Sequence, residues 1–409
     1  MSEKFVLDNR EKVQKELYPE DHLGLADKLT DGELEFLRQL VELLETKYRD
    51  DLNKHWYNNE VPEGFFEDMG ELGYLTNPLL FEDGREPMQG TRQIFQFFFA
   101  FTLSRFDVSL NTLIGVHSGL GLYSFLLGGS KEQALKYGPA LATHELRTCF
   151  ALTEPDHGSD VAWGLDTTAE RKGDKWVLNG EKRWIGGANV ADVIPVYATD
   201  VETGKPKAFI VKREQEGVDI DVIDGKIALK IVPNCNIHLN NVEVDETDRL
   251  QNINRFRDIA KILFVTRAGV ANMAAGTMAG ALQATLKYVT KREQFGNPIS
   301  NYQLIQEKLA TMQGNVTNAM SLCVHLAELQ EQGRYDEVST SIGKMMNSLR
   351  LRETVAMGRG ICGGNGITVE ETDIGRFFSD AEAVYTYEGT HEVNALVIGR
   401  ALTGDAAFN

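Results

Sequence analysis

The sequence is poor in cysteine and contains no long hydrophobic run. Its 409 residues include four cysteines, Cys149, Cys235, Cys323 and Cys362, and none of them forms a Cys-x-x-Cys pair. This spacing signals neither a disulfide framework nor a zinc knuckle, so we expect reduced and mostly buried thiols. The most apolar stretch, residues 94–103, is half the roughly 20 residues that a membrane span requires, and it predicts a buried helix instead.

Basic residues are also few. Lys and Arg number 42 against 60 Asp and Glu, which gives a formal net charge of −18 at pH 7. An acidic surface disfavours nonspecific binding to nucleic acid or anionic membranes, so we expect neither partner. The chain begins without a secretory pattern and ends without a peroxisomal address, from which we expect a cytoplasmic protein.

The hydrophobic pattern changes twice along the chain and predicts three domains. Residues 1–148 show helical spacing of apolar residues. Residues 149–248 alternate with a period of two, which predicts a small antiparallel barrel or sandwich. Residues 249–409 return to helical spacing and predict a bundle of about four helices. The fold class is therefore mostly α with a middle β domain.

Local signals indicate where individual elements begin and end. Two capping boxes predict helix N-termini, at Thr30-x-x-Glu33 and Ser130-x-x-Gln133. Gly138-Pro139 predicts the end of the second of these helices. In the β region, Asn179-Gly180 is the strongest signal for a two-residue hairpin, and Lys172-Gly173-Asp174 is a second turn candidate. The predicted strands cover residues 193–197, 208–211, 218–222 and 237–244.

A Gly-x-Gly-x-x-Gly string begins at Gly358 and ends at Gly363. It would indicate a dinucleotide-binding fold only if a strand preceded it, and residues 349–357 look helical. The run continues to Gly366. Two interpretations stay open, namely a helix C-cap with a turn, or a backbone segment that a ligand approaches closely.

Two other segments combine polar groups that suit an anionic or ring-shaped ligand. Thr153, Gly158 and Ser159 offer hydroxyls and amides in the segment that joins the first helices to the β region. A well-capped junction loop is the alternative interpretation. Lys291 and Arg292 precede Gln294-Phe295-Gly296 and could clamp a phosphate, with a surface helix end as the equal alternative.

Glu388 is the candidate general base of the C-terminal region. It stands between Tyr387 and Gly389 in a mostly apolar context, where desolvation would raise the pKa of its carboxyl group. The alternative is a surface glutamate that caps the helix beginning near Thr390. Cys235-x-x-His238 lacks partner ligands, so we expect no metal site.

In combination these motifs resemble the acyl-CoA dehydrogenase family over nearly the whole chain. The resemblance implies an N-terminal helical domain, a middle β domain and a C-terminal four-helix bundle. It also implies an FAD cofactor that straddles a dimer interface, and a homotetramer built as a dimer of dimers.

The resemblance also implies roles for the individual motifs. Residues 152–160 look like the loop at the flavin edge and the thioester, and Trp184-Ile185 looks like the strand behind the isoalloxazine. Arg292 to Gly296, with Gln303, looks like the segment that reaches the FAD pyrophosphate of a neighbouring subunit, and residues 363–366 look like its partner. The implied FAD-binding residues are Phe150, Leu152, Thr153, Gly158, Ser159, Trp184, Ile185, Gly186, Arg292, Gln294, Phe295, Gln303, Gly360, Gly363, Gly364, Thr390 and Glu392. The implied substrate contacts are Ser159, Arg267, Asn111, Tyr387 and Gly389.

The chemistry implied by the resemblance centres on Glu388. This carboxylate would remove the α-proton of an acyl-CoA while the β-hydrogen leaves as hydride to flavin N5, which yields a trans-2-enoyl-CoA. Hydrogen bonds from the Glu388 amide and a ribityl hydroxyl would stabilise the developing enolate. Some family members carry the base on an earlier helix, and the matching position here is Thr266, so no rival carboxylate stands there.

Two departures separate this chain from the subgroups it resembles most, the glutaryl-CoA dehydrogenases and the plant-type short-chain acyl-CoA oxidases. Asn111 stands where the glutaryl enzymes carry an arginine, and a neutral amide does not offset the desolvation of a substrate carboxylate. Gly186 stands where most dehydrogenases have Thr or Ser. Either the added room near flavin N5 changes how reduced flavin meets oxygen, or only a backbone contact is needed there.

We therefore expect an FAD-dependent dehydrogenase that acts on a short-chain acyl-CoA and passes electrons to an electron-transfer flavoprotein. An acyl-CoA oxidase that passes electrons to O2 is the first alternative. Glutaryl-CoA dehydrogenation is disfavoured by Asn111, and a non-catalytic assembly protein is disfavoured by an intact Glu388. A related flavoenzyme for a non-CoA substrate such as a nitroalkane is disfavoured because those enzymes use Asp as base.

Overall fold

The computed structural model describes residues 5–405 and contains a helical region, a β region and a second helical region in chain order. This order confirms the predicted fold class. One hydrophobic core joins helices of the N-terminal and C-terminal regions, whereas the sheet has a core of its own. The numerical domain boundaries at residues 148 and 248 stay predictions.

The N-terminal region contains eight α-helices within the described residues. They are α1 (Arg10–Leu17), α2 (Asp31–Leu43), α3 (Leu52–Asn58), α4 (Phe65–Leu72), α5 (Gln93–Phe106), α6 (Val108–Ile114), α7 (Leu122–Gly128) and α8 (Lys131–Ala142). Both predicted capping boxes are confirmed, at the N-termini of α2 and α8. The apolar run at residues 94–103 forms most of α5, whose phenylalanines are all buried, as predicted.

The predicted helix end at Gly138-Pro139 is wrong. Helix α8 continues to Ala142 with Pro139 inside it. The last turn is held by packing, because Leu141 is buried and its carbonyl oxygen lies 2.8 Å from Nε2 of His117. Tertiary contacts therefore outweigh the local helix-breaking tendency of proline.

The middle region is a six-stranded sheet. Its strands are β1 (Thr168–Lys172), β2 (Lys175–Gly186), β3 (Val193–Asp200), β4 (Pro206–Lys212), β5 (Val218–Val222) and β6 (Asn234–Asp245). The spatial order is β4-β3-β1-β2-β6-β5, and only the β1–β3 pair is parallel. The turn predicted at Lys172-Gly173-Asp174 is confirmed, because Lys172 pairs with Lys175 across it.

The hairpin predicted at Asn179-Gly180 is wrong. Strand β2 runs straight through both residues, with a register shift between Leu178 and Gly180. Gly180 has φ 142°, and a Cβ atom there would lie 2.6 Å from Cα of Thr167. The glycine is needed for this close backbone approach at an irregularity of the strand, not for a turn.

The C-terminal region is a helical bundle, with a small hairpin between its first two long helices. Its elements are α9 (Phe256–Val289), β7 (Glu293–Gln294), β8 (Asn297–Pro298), α10 (Gln303–Glu331), α11 (Glu337–Ile361), α12 (Ile374–Thr386) and α13 (His391–Thr403). The long helices α9, α10 and α11 pack on one another, and α9 also packs on α5. This last contact brings the N-terminal and C-terminal regions together around a common cavity.

Two helical stretches, Val108–Gly128 and Phe256–Val289, are long and apolar enough to pass a length-and-composition test for a membrane span. In both, 56% of the most apolar window is buried inside the fold, and buried core helices pass the same test. The test therefore adds little weight to a membrane assignment, and the expectation of no membrane partner stays a prediction.

Candidate active site

A cavity of about 480 Å³ lies between the N-terminal helices and the C-terminal bundle. Its walls come from α5, α9, α10 and the π-helical segment Gly115–Gly121. Most wall residues are apolar, including Phe95, Phe99, Val116, Val270, Met273 and Leu326. A mostly apolar cavity of this size is typical of a small-molecule site.

Glu388 lines this cavity together with Tyr387. It lies in the short connection between α12 and α13 and has φ 57°, a left-handed backbone conformation that is costly for a residue with a side chain. Nδ2 of Asn394 donates to the carbonyl oxygens of Gly389 and Thr390, both at 2.9 Å, and so holds the connection in place.

The interpretation of Glu388 as a surface helix cap is wrong. The residue that caps α13 is Thr390, whose Oγ1 accepts a hydrogen bond from the backbone N–H of Val393 at 3.3 Å. Glu388 therefore does not serve as the cap. It lines the cavity, where burial raises the pKa of its carboxyl group to about 7. A carboxylate with a pKa near neutrality suits general-base chemistry.

Two cations near Glu388 limit this shift, because the charges of Arg267 and Lys344 favour the ionised carboxylate and lower its pKa. Lys344 is buried on α11, and its Nζ donates to the carbonyl oxygen of Tyr385 at 2.7 Å. Burial lowers the pKa of Lys344 to about 8, whereas Glu388 and Glu392 raise it. Sequence reasoning missed Lys344, because its place among the buried residues of α11 shows only in the folded chain.

The structure brings several predicted substrate contacts to the cavity and leaves others outside its wall. Asn111 and Tyr387 line the cavity. The Asn111 amide is already used, since its Nδ2 donates to Ala100 O at 3.0 Å and Ser104 Oγ at 2.8 Å. Arg267 and Gly389 flank Glu388 without lining the cavity, and Ser159 lies on an exposed turn away from the lining residues.

Thr266, the position of the rival base in other family members, also lines the cavity. Its Oγ1 bonds back to Ile262 O and Leu263 O in its own helix. Within the described residues, Glu388 is the only charged side chain among those lining this cavity.

The predicted flavin-edge residues of the β region do not line the cavity, but the end of β2 adjoins its wall. The end of β2 carries Trp184, Ile185 and Gly186, and a Cβ atom at Gly186 would lie 3.6 Å from Cγ2 of Val116 in the cavity wall. The backbone N–H of Arg183 donates to Thr153 O at 2.9 Å, which joins the junction loop to this strand.

Trp184 is half exposed and has φ 65°, so its ring is accessible to a ligand. Leu152 and Ile185 are buried in the protein core, so only their backbone groups are available to a ligand. Phe150 packs on Tyr197 with ring centroids 4.9 Å apart.

A buried ion pair that sequence reasoning missed stabilises the junction loop. Glu154 Oε1 lies 2.7 Å from Nζ of Lys182, and both side chains are withdrawn from solvent. The carboxylates of Glu154 and Asp166 and the ring of His157 lie close enough together to hold a metal ion, since one ligand atom of each lies within 4.8 Å of the others. The Glu154 carboxylate already accepts hydrogen bonds from Lys182 and from the backbone N–H groups of Asp166 and Thr167, so its oxygen atoms have protein partners.

Cys235 is buried in the sheet, whereas His238 pairs with Asp221 and Glu181 at the surface.

A second cavity, of about 940 Å³, is shared by the two segments predicted to bind the FAD pyrophosphate. Its lining includes Arg292, Gln294, Phe295, Gln303, Gly363 and Gly364. Cβ atoms at Gly360, Gly363 or Gly364 would meet no other atom within 4 Å, so this backbone is open to a ligand. The exposed backbone, the guanidinium of Arg292 and the 92% exposed ring of Phe295 fit a dinucleotide with its pyrophosphate.

The glycine string of this segment is not a dinucleotide-fold motif. Gly358 and Gly360 lie in α11, which ends at Ile361, and a 3-10 turn over Gly363–Ile367 follows. No strand precedes the string, as the sequence predicts. The remaining predicted cofactor residues, Thr390 and Glu392, begin α13, and Glu392 is exposed.

Comparisons with known proteins agree along the whole described chain. The N-terminal, middle and C-terminal domain profiles of acyl-CoA dehydrogenases match residues 30–145, 149–242 and 256–403. A 3-(aryl)acrylate reductase of Clostridium sporogenes is 36% identical over 72% of this chain and 77% of its own. The caffeyl-CoA reductase-Etf complex subunit CarC of Acetobacterium woodii is 35% identical over 68% of this chain and 74% of its own.

A solved structure has the same architecture. The glutaryl-CoA dehydrogenase of Mycobacterium smegmatis in complex with FADH2 superposes with a TM-score of 0.88. It is 31% identical in sequence and covers 96% of this chain and 99% of its own.

Proposed function

Because the chain belongs to the acyl-CoA dehydrogenase family of FAD-dependent oxidoreductases, we propose that it converts an acyl-CoA thioester into a trans-2-enoyl-CoA with Glu388 as the base. One observation carries the proposal. Glu388 faces an apolar cavity with a pKa raised to about 7, and no other described lining residue is charged.

The residues of this chain prepare the proton transfer. Apolar walls exclude water, which strengthens Glu388 as a base for the weakly acidic α-carbon of a thioester. The backbone N–H of Glu388 would donate to the thioester carbonyl oxygen and so stabilise the enolate that develops. FAD, when bound, supplies the acceptor for the β-hydrogen as hydride. Trp184–Gly186 and Thr153 would hold its ring, while Arg292, Gln294, Gln303 and Gly363-Gly364 would hold the pyrophosphate.

An uncharged acyl group fits the cavity best. Both amide hydrogens of Asn111 are spent on α5, and none of the described lining residues is Lys, Arg or His. A substrate carboxylate would therefore lose its water without gaining a cation, which disfavours glutaryl-CoA. The preference for a short chain stays a prediction that an acyl-CoA panel tests.

An electron-transfer flavoprotein is the proposed electron acceptor. The relative named as a subunit of an Etf complex supports this assignment by analogy. Oxygen is the alternative acceptor, and Gly186 is the residue on which it depends. We also propose that one FAD draws on two subunits of a homotetramer, because the described lining of the second cavity, which includes Arg292 and Gly363, contains no residue of the β region that carries Trp184. A cytoplasmic location stays a prediction.

A second candidate is the reverse reaction, the reduction of a 2-enoyl-CoA. The names of two relatives at 35 and 36% identity, both reductases, favour it. The same Glu388 would then return a proton to the α-carbon. Reoxidation of the reduced holoenzyme by an aryl-acrylyl-CoA, faster than its reduction by the saturated thioester, would identify this direction.

The proposed function is tested by anaerobic titration of the holoenzyme with butyryl-, octanoyl-, 3-phenylpropionyl- and glutaryl-CoA. We expect the flavin absorbance to bleach with at least one neutral acyl-CoA and not with glutaryl-CoA. Absence of bleaching with every thioester, in a protein that retains FAD, would refute the proposal. Peroxide formation at the catalytic rate in air would identify an oxidase.

A further inference from the structure

The carboxylate of Asp380 lies where all three domains meet. Asp380 is a buried residue of α12, and its Oδ1 accepts hydrogen bonds from Nε1 of Trp56 at 2.8 Å and from the backbone N–H of Leu229 at 2.6 Å. Trp56 belongs to α3, and Leu229 to the segment 223–233 between β5 and β6. One oxygen atom therefore joins the N-terminal helices and the middle domain to the C-terminal bundle.

Two of the three joined elements lead directly into the candidate site. Helix α12 ends at Thr386, and Tyr387 and Glu388 follow it. The segment 223–233 ends at Pro233, whose carbonyl oxygen accepts a hydrogen bond from the backbone N–H of Gly187 at 2.9 Å. Gly187 follows the end of β2, where Trp184–Gly186 is proposed to face the flavin ring.

The N-terminal side is held by a second set of contacts around α6. Arg376, one turn before Asp380 on α12, forms an ion pair with Asp107, which caps α6. Ser109 Oγ on α6 lies 3.5 Å from Asp380 Oδ2. Thr112, further along α6, lines the cavity. The elements that lead to the base, to the strand end and to the cavity wall are thus all joined at one buried cluster of Asp107, Arg376 and Asp380.

We propose that Asp380 is a positioning residue that sets the distance between Glu388 and the strand end Trp184–Gly187 by holding the three domains together. Asp380 is not among the residues that line the cavity. The hydrogen bonds that Trp56 and Leu229 donate to Asp380 form the tie between the domains. A misplacement of about 1 Å costs about 10²-fold in rate, so loosening this tie slows proton abstraction more than it weakens substrate binding. The inference rests on the proposed function, because the placement matters only if Glu388 takes the α-proton.

The tie depends on an oxygen acceptor and not on a negative charge. Burial and the neighbouring Asp107 raise the pKa of Asp380 to about 7, whereas Arg376 lowers it. Lys226 and Tyr387 are the other charged or titratable groups that sense its charge. Because protonated and ionised forms both accept through Oδ1, Asp380→Asn preserves the tie and Asp380→Ala removes it.

The test uses the FAD-loaded enzyme and compares Asp380→Ala, Asp380→Asn and Trp56→Phe. For each, the anaerobic rate constant of flavin reduction at saturating acyl-CoA is measured with the acyl-CoA dissociation constant, the FAD content and the isotope effect of an α-deuterated substrate. We expect Asp380→Ala to lower the rate constant by about tenfold or more and to raise the isotope effect, with substrate affinity within about threefold. Asp380→Asn should stay within about threefold of the wild-type rate constant.

A merely structural role would lower FAD content and the amplitude of bleaching, but not the rate constant of the remaining enzyme. That result, or a wild-type rate constant in Asp380→Ala, overturns the inference. If Asp380→Ala does not fold, Trp56→Phe decides, because it removes one of the two donors and keeps a ring; an unchanged rate constant in this variant overturns the inference as well. A wild-type enzyme that no acyl-CoA bleaches would instead refute the proposed function.

Discussion

Glu154 and Glu388 are two glutamates that the fold withdraws wholly or partly from water, and their pKa values move in opposite directions. Burial by itself would raise the pKa of Glu154, but Lys182 and the hydrogen bonds of Thr167 together hold it below its usual value. Glu388 lies in the cavity wall, and burial raises its pKa to about 7 against the attraction of Arg267 and Lys344.

The difference lies in the hydrogen-bond donors. Glu154 accepts from Lys182 Nζ at 2.7 Å and from two backbone N–H groups. In the part of the chain that the structure describes, the cations near Glu388 act on it through charge, and no hydrogen bond to its carboxylate is made. Of these two acids, the one that receives hydrogen bonds is structural, and the one that receives none from the described residues has the raised pKa of a candidate general base.

The largest expected effect comes from removing the base. Glu388→Gln keeps the volume of the side chain and removes its ability to take a proton, so flavin reduction should slow by about 10²–10⁴-fold. FAD content and acyl-CoA binding should remain, which separates chemistry from folding. Stopped-flow absorbance of the anaerobic enzyme measures the rate, and a rate near that of the wild type would remove Glu388 from its role.

Breaking the structural pair should instead lower stability. Lys182→Met leaves the Glu154 carboxylate buried without its cation, at a cost of about 3–5 kcal/mol in the free energy of unfolding. Denaturant unfolding measures this cost. Lys175→Met is the matched control on the same strand, because its pair with Glu243 is exposed to solvent, so we expect little or no loss of stability. Equal losses of stability in the two variants would show that burial does not set the Glu154–Lys182 pair apart from the exposed pair.

The pH dependence distinguishes the two carboxylates further. Glu388 must be ionised to act, so the rate constant of flavin reduction should rise about tenfold per pH unit below about 7 and level off above it. In the free energy of unfolding the signs differ. The raised pKa of Glu388 contributes stability that is lost as pH rises through about 7. The depressed pKa of Glu154 contributes stability that is lost only in acid, as pH falls below the usual glutamate value of 4.5 and through the depressed pKa.

A rate that is flat from about pH 5.5 to 8.5 would contradict the assignment of Glu388. The wild-type profile should be compared with that of Lys344→Met. Removing this cation eliminates one of the two charges that favour ionised Glu388, so the midpoint of the profile should move to higher pH.

Cofactor retention should depend on neither carboxylate. Arg292→Ala removes a charge-assisted contact to phosphate and should weaken FAD binding by about tenfold. Lys291→Ala is the control, since the neighbouring Lys291 does not line the second cavity. Equilibrium dialysis of the apoprotein with FAD measures both variants, and indistinguishable affinities would exclude Arg292 from the pyrophosphate site.

The smallest effect is expected at Gly186. A Cβ atom there would meet Val232 Cγ1 at 3.4 Å and Asn234 Nδ2 at 3.7 Å, which are ordinary contacts, so Gly186→Thr should fold. If the room beside the flavin favours oxygen, peroxide yield per turnover should fall by severalfold, with little change in the rate of anaerobic reduction. An unchanged yield would show that only the backbone matters at this position.

Much of the fold was predictable, and the errors have a common cause. Capping boxes, the α5 run and the turn at Gly173 depend on neighbours in sequence, and each prediction was confirmed. Asn179-Gly180 and Gly138-Pro139 were wrong because distant contacts decide them. Thr167 approaches Gly180 within a strand, and His117 packs against the turn that follows Pro139.

The site shows the same division. Glu388 and the segments around Arg292 and Gly363 were named from motifs, and the structure places them at two cavities. Lys182, Lys344 and Asp380 escaped notice because a buried charged residue has no sequence signature unless its partner is known. Each partner lies 28 to 324 positions away in the chain.

The amino-acid sequence is enough to predict the order of helices and strands and the starts of α2 and α8, because these follow from local periodicity and capping, and its motifs point to Glu388 as the candidate base. Which of Glu154 and Glu388 receives hydrogen bonds is visible only in the folded protein. That choice depends on donors brought from distant parts of the chain, and folding alone brings them within hydrogen-bonding distance.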